Sequence, residues 1–221
     1  MPQSLIFDFD GLIADTESAI YDAWASVYAR HGEHLALSEY VRCVGSTFGQ
    51  FDPMAELERR LGRTLDWVPL LAAKDEAIRH GHRDLPPLPG VRELLAEAAT
   101  AGVPCAVASS SSADWVHPWL ETFGLRDAFQ AVWTRDRVPN PKPAPDLFLS
   151  AAADLGFSPA QCLVLEDSPN GLRAARTAGS PCVIVPSPVT RNGDFTGAHR
   201  ILPSLHGVAL PDLLAWGRTI A

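Results

Sequence analysis

Apolar residues along this chain fall into two rhythms. Short, mainly apolar runs, Ser4 to Phe9, Val103 to Ala108, Phe129 to Trp133, Cys162 to Leu165 and Cys182 to Val185, predict strands buried on both faces. Between them lie stretches with helical spacing. Pro89-Gly90-Val91 opens RELLAEAATA, which stops at Gly102. Ser112 to Phe123, Pro145 to Leu155 and Pro169 to Ala178 each end at a glycine as well, the start and stop signals of helices. Buried strands alternating with helices predict an α/β fold, a parallel sheet with crossover helices.

One segment breaks the alternation. From Thr16 to about Pro86 no strand pattern occurs. Ile20, Trp24, Val27 and Tyr28 form an i, i+4, i+7, i+8 stripe. Asp52-Pro53 reads as an N-cap with proline in the first turn, opening MAELERRL, and Leu65 to Ile78 reads as helix too. The expected organisation is an α/β core of residues 1–15 and 87–221, with residues 16–86 inserted after the first strand as a helical domain. Two crossings, near Gly11 and through DLPPLPG (84–90), permit a hinge.

Composition and charge change the picture further. With 221 residues and 47% hydrophobic content, the chain has material for a packed core. Its net charge of −8 argues against nucleic acid or an anionic membrane surface as partner. The opening MPQSLIFDFDGL has no basic n-region, and no run of about 18 apolar residues occurs, so a cytoplasmic protein is expected. Cys43, Cys105, Cys162 and Cys182 are widely spaced without a CxxC pair, which predicts buried, reduced thiols. Of 18 cations only Lys74 and Lys142 are lysines.

Ligands of open α/β sheets bind beyond the carboxyl ends of the strands. The first predicted strand ends in Asp8-Phe9-Asp10-Gly11. Residues two apart project to one face, so two carboxylates leave a buried strand together. They form either a solvated turn or a pair whose burial cost a cation or a shared proton removes. Ser109 to Ser112 close the second strand ahead of a helix, where hydroxyls suit an N-cap or an anion. Asn140-Pro141-Lys142-Pro143 sets a lysine between prolines, as a solvated loop side chain or as a placed ammonium. Leu165-Glu166-Asp167-Ser168 ends the fourth strand with a second carboxylate pair. Oxygen ligands without His or Cys favour a hard cation such as Mg²⁺. A cation among carboxylates, with a hydroxyl and an ammonium, is the equipment of phosphoryl transfer.

Four motifs stand in order: DFDGLIADTE (8–17), VASSSS (107–112), KPAPDLF (142–148) and LEDSPNG (165–171). Together they resemble the haloacid-dehalogenase-like hydrolases, in the group of β-phosphoglucomutase and small sugar-phosphate phosphatases. The resemblance covers nearly the whole chain. It implies a Rossmann-like parallel-sheet core with a helical cap that closes over substrate. It also implies a Mg²⁺-dependent phosphatase that hydrolyses a small phosphorylated metabolite, a sugar phosphate, through an aspartyl-phosphate. By resemblance Asp8 is the nucleophile, Asp10 the general acid and base, and Ser109 and Lys142 hold the phosphoryl group. Asp8, the Asp10 backbone carbonyl, Glu166 and Asp167 match the Mg²⁺ environment. Thr16, Lys74 and Ser110 are the further expected substrate contacts, Lys74 at the place of a cap lysine.

The departures bear on which reaction results. Dehalogenases proper lack the second aspartate, so Asp10 argues against them. β-Phosphoglucomutase has a histidine and a cap arginine where this chain has Ile20 and Phe48, which favours net hydrolysis. Phe48 and Phe51 make the expected cap face apolar. A β-phosphoglucomutase-type phosphomutase, a phosphonate hydrolase using a cap lysine as Schiff base, and a non-catalytic binding protein are the alternatives. Other conspicuous residues read as structural: His80-Gly81-His82 as a solvated linker, Arg59-Arg60 as an exposed cap face, and Trp115 with Trp119 as a packing or dimer patch. Thr16 fits a helix cap as well as a substrate contact. A monomer or weak homodimer is expected.

Overall fold

A computed structural model describes residues 2–45 and 51–217. The apolar runs become β1 (Ser4–Phe7), β2 (Cys105–Ala108), β3 (Ala131–Trp133), β4 (Cys162–Glu166) and β5 (Cys182–Ile184). They pair parallel in the order β3-β2-β1-β4-β5, and a further strand, β6 (Arg200–Ile201), extends the β5 edge. β6 has no signature in the sequence because it is two exposed residues long.

β1 lies at the centre of the sheet and is buried throughout. Its residues alternate between two apolar layers, as the period of a strand requires. Leu5 and Phe7 join a cluster with α5 (Val91–Ala101), α6 (Ala113–Thr122) and α9 (Leu210–Trp216). Ile6 joins the opposite cluster beneath α7 (Asp146–Leu155) and α8 (Pro169–Ala178). The result is a Rossmann-like three-layer core.

Between β1 and α5 the chain forms α1 (Thr16–Arg30), α2 (Leu37–Tyr40), α3 (Pro53–Leu61) and α4 (Trp67–Gly81). Asp15, Asp52 and Asp66 cap α1, α3 and α4 by accepting backbone N–H bonds from Ser18, Met54 and Val68. Each cap satisfies a helix donor that has no partner within its helix, a contribution of about 1 kcal/mol. These helices share an apolar cluster of their own, with Trp24, Val27, Tyr28, Leu35 and Leu57 at its centre.

Three expectations are corrected here. Arg60 is not on an exposed face: it bonds Glu56 and Glu39 and lies 5.5 Å over the Tyr28 ring, while Arg59 remains solvent-facing. Phe51 is buried in the helical cluster, which also takes in Val189 of the core, and does not line the cavity between the strand ends and the helical segment; Phe48 lies outside the described residues. His82 is not solvated. It is buried just past α4, its Nε2 is 2.9 Å from the Thr16 carbonyl, and its ring packs edge-on against Trp115 and Trp119. The two crossings run side by side, with the Leu88 N–H donating to the Ile13 carbonyl at 2.7 Å.

Candidate active site

β1 stops at Phe7, so Asp8 stands just beyond the sheet, its N–H still donating to the Leu165 carbonyl at 2.9 Å. The chain then turns at Gly11, with φ of 84°. A Cβ there would sit 2.2 Å from Asp167 Oδ2. Only glycine gives both the left-handed turn and the close approach to Asp167, while Asp8 and Asp167 are neighbours because Phe7 of β1 pairs with Leu165 of β4.

Lys142 Nζ donates to Asp8 Oδ1 and, at 2.7 Å, to Glu166 Oε1. It is 1% exposed and lies 4.8 Å above the Phe148 ring. Glu166 Oε2 accepts from the Asp167 and Ser168 N–H groups at 2.9 Å and from the Ser168 hydroxyl at 3.0 Å. Asp167 Oδ2 accepts from Thr190 Oγ1 at 3.2 Å, whereas Asp167 Oδ1 is buried without a hydrogen-bond partner among the described residues. Ligand oxygens of Asp8, Glu166 and Asp167 lie within 4.8 Å of one another.

One ammonium among three buried carboxylates leaves excess negative charge, which is costly in a low-dielectric site. Burial pushes the Asp8 carboxyl up to about 8; the Lys142 charge opposes this, and Glu166 and Asp10 add to it. Asp167 is raised well above the usual range, by burial first and then by Glu166 and Asp8. Burial works against the Lys142 charge, but the attraction of Asp8 and Glu166 outweighs it and the ammonium is held above its ordinary value. The orphaned oxygen, the surplus charge and the all-oxygen donor set fit a hard divalent cation.

Asp10 faces a different set of partners. Oδ1 accepts from Thr16 Oγ1 at 2.7 Å and from Trp115 Nε1 at 2.8 Å. Oδ2 accepts from Ser111 Oγ at 2.6 Å and from Ser109 Oγ at 3.3 Å. Between the strand ends and the helical segment lies a cavity of about 630 Å³, whose lining includes Asp8, Asp10, Glu17, Ile20, Trp24 and Lys74. A profile of the haloacid dehalogenase-like hydrolases matches residues 5–185.

The chain belongs to that family. YhcW of Bacillus subtilis (strain 168) is 40% identical over 214 residues, spanning 97% of each chain. Fructose-1-phosphate phosphatase YqaB of Escherichia coli (strain K12) is 37% identical over 183 residues, 82% of this chain and 95% of its own. CbbY of Rhodobacter sphaeroides, solved in complex with phosphate, superposes with a TM-score of 0.75 at 32% identity, covering 96% of this chain and 99% of that one.

Within this hydrolase the expected residues divide into two groups. Asp8, Asp10, Ser110 and Lys74 line the cavity; Ser109, Lys142, Glu166 and Asp167 are buried and do not. Ser110 donates to the Gly45 carbonyl at 3.1 Å, which ties the β2 loop to the helical segment. Lys74 pairs with Asp75 at 2.9 Å and lies 5.1 Å over the Trp24 ring. Thr16 does not cap α1, since Asp15 does; its hydroxyl is spent on Asp10.

Two residues of the candidate site, Trp115 and Glu17, were missed in the sequence, and Ser111 was seen there only as one of a serine cluster. Ser111 precedes the Ser112 N-cap of α6 and Trp115 lies in its first turn, so no periodicity pairs them; both bond Asp10. Trp115 is therefore not merely packing, although Trp119 is. Glu17 is buried in the cavity wall, and burial, then Asp10, Asp8 and Asp15, push its carboxyl up to about 8.

Proposed function

We propose that this hydrolase is a phosphoric monoesterase, a Mg²⁺-dependent phosphatase that releases phosphate from a small sugar phosphate through an aspartyl-phosphate on Asp8. The observation that carries the reading is Asp8 itself. Its carboxylate opens onto the cavity, one oxygen is held by a fully buried Lys142, and the orphaned Asp167 oxygen lies in the same carboxylate group. The named relatives point the same way: YqaB is a fructose-1-phosphate phosphatase, and a CbbY variant has been solved with xylulose-(1,5)bisphosphate.

In the first step an Asp8 oxygen attacks phosphorus, the bond from phosphorus to the sugar oxygen breaks, and Asp10 gives that oxygen its proton. In the second, Asp10 takes a proton from water as the water oxygen attacks the aspartyl-phosphate, and Asp8 and inorganic phosphate are released. Lys142 and Ser109 hold the phosphoryl group, with Lys142 steadying Asp8 beforehand. Asp8, the Asp10 carbonyl, Glu166 and Asp167 would hold Mg²⁺, which when bound neutralises phosphate charge. Lys74 and Ser110, which line the cavity, complete the substrate side, and Thr16 acts on it only through Asp10. Residues 16–86 act as a cap on the core of residues 1–15 and 87–221 and exclude water during turnover. Four free, buried cysteines suit the reducing cytoplasm.

A panel of phosphorylated metabolites, incubated with Mg²⁺ and assayed for free phosphate, tests this reading. Release from sugar phosphates, lost on adding a chelator, is expected. Isomerised phosphate esters without free phosphate, or no release across the panel, would overturn it.

A further inference from the structure

Four donors converge on the Asp10 carboxylate, and they are not equivalent. Thr16, Ser109 and Ser111 reach it with hydroxyls, which rotate and can accept as well as donate. Trp115 reaches it with an indole N–H 2.8 Å from Oδ1, and an indole nitrogen only donates. With the Thr16 hydroxyl also on Oδ1, at 2.7 Å, that oxygen is committed to accepting. The hydroxyls on Oδ2 are free to turn when a proton arrives there.

The indole is itself fixed in place. Its ring centroid is 5.5 Å from that of His82 and 6.3 Å from that of Trp119, both edge-on. His82 Nε2 lies 2.9 Å from the Thr16 carbonyl. Thr16 opens α1 and His82 follows α4, so both ends of the helical segment bear on Trp115 and Asp10.

We infer that Trp115 is a positioning residue for the acid–base step. Its N–H holds Oδ1 as the accepting edge of Asp10 and leaves Oδ2 as the edge that gives and takes the proton. The proton passes from Oδ2 to the leaving oxygen and returns to Oδ2 from water; the indole N–H bond is never broken. The inference rests on the role proposed for Asp10, and the experiment separates the two.

Trp115 is replaced by Phe and, separately, by benzothienylalanine, which keeps the bicyclic shape without the N–H. Turnover is measured with phenyl phosphate, whose poor leaving group needs a proton, and with p-nitrophenyl phosphate, whose good one needs it less. Both variants should lose roughly 10- to 100-fold in kcat on phenyl phosphate with KM within about threefold, and less on p-nitrophenyl phosphate. Neither should lower turnover further in an Asp10→Ala background. Unchanged kcat in both variants, or equal added losses with and without Asp10, would overturn the inference. Wild-type turnover in Asp10→Ala would remove the acid–base role itself, and the inference with it. NMR on the intact protein gives a readout that does not depend on a Trp115 variant folding. Asp10→Ala should shift the Trp115 indole N–H resonance and hasten its exchange with water; an unmoved resonance would overturn the inference.

Discussion

Lys142 is bonded to Asp8 and Glu166 at once, with its Nζ 2.7 Å from Glu166 Oε1 and no access to solvent. One ammonium therefore holds the ends of β1 and β4 together as well as facing the carboxylate proposed as nucleophile. Lys142→Met leaves both carboxylates buried without their cation. The expected cost is about 3–5 kcal/mol of stability and on the order of 10²–10³ in kcat, read by urea melts and p-nitrophenyl phosphate turnover. Loss of activity at unchanged stability would deny the structural half of that role.

Glu17 sets a pH dependence of stability. Its carboxyl is held at about 8 in the fold, against an ordinary value of 4.5. Below the ordinary value both folded and unfolded chains carry the proton. Between 4.5 and about 8 the unfolded chain releases it first, so this contribution to stability falls as pH rises across that window. Glu17→Gln removes the effect. The variant should match the wild type near pH 4 and exceed it by on the order of 1–3 kcal/mol at pH 8. Parallel stability curves for the two proteins across that range would contradict the assignment.

Much of this was legible in the sequence, for physical reasons that differ by element. β1 announced itself because a strand buried on both faces must be apolar throughout, and SLIF is flanked by an acidic turn that no core tolerates unpaired. β6 did not, because an exposed edge pair places no demand on side-chain type. Asp8, Asp10 and Asp167 stood out as charges at the ends of buried runs, and Lys142 as one of only two lysines, set between prolines. Trp115 and His82 did not. An aromatic residue that packs and also donates one hydrogen bond looks, in one dimension, like one that only packs. Glu17 was hidden by position, since an acid in the first turn of a helix is ordinarily accounted for by the helix dipole.

The carboxylate group predicts a metal-dependent melting temperature. Mg²⁺ at a hundredfold its dissociation constant should stabilise the wild type by about 2.7 kcal/mol, reversed by a chelator. Asp167→Asn, which alters the carboxylate with the orphaned oxygen, should lose most of that gain. Calorimetric scans with and without Mg²⁺ check it; an equal gain in both proteins would place the ion elsewhere.

Gly11→Ala tests the turn that packs against Asp167. The new methyl carbon would enter 2.2 Å from Asp167 Oδ2 at a backbone φ of 84°. The expected result is a loss of roughly 1–3 kcal/mol in stability, with a weaker Mg²⁺ response. Wild-type behaviour in both would show that the turn relaxes without disturbing Asp167.

The central claim is that phosphate passes through a covalent bond to Asp8. Rapid acid quenching of the enzyme with radiolabelled sugar phosphate and Mg²⁺, followed by peptide mapping, measures this directly. The account predicts label on the peptide carrying Asp8 within a single turnover, released as free phosphate on further incubation and absent in Asp8→Asn, which should not turn over. Turnover without label on that peptide, or substantial phosphate release by Asp8→Asn, would contradict it.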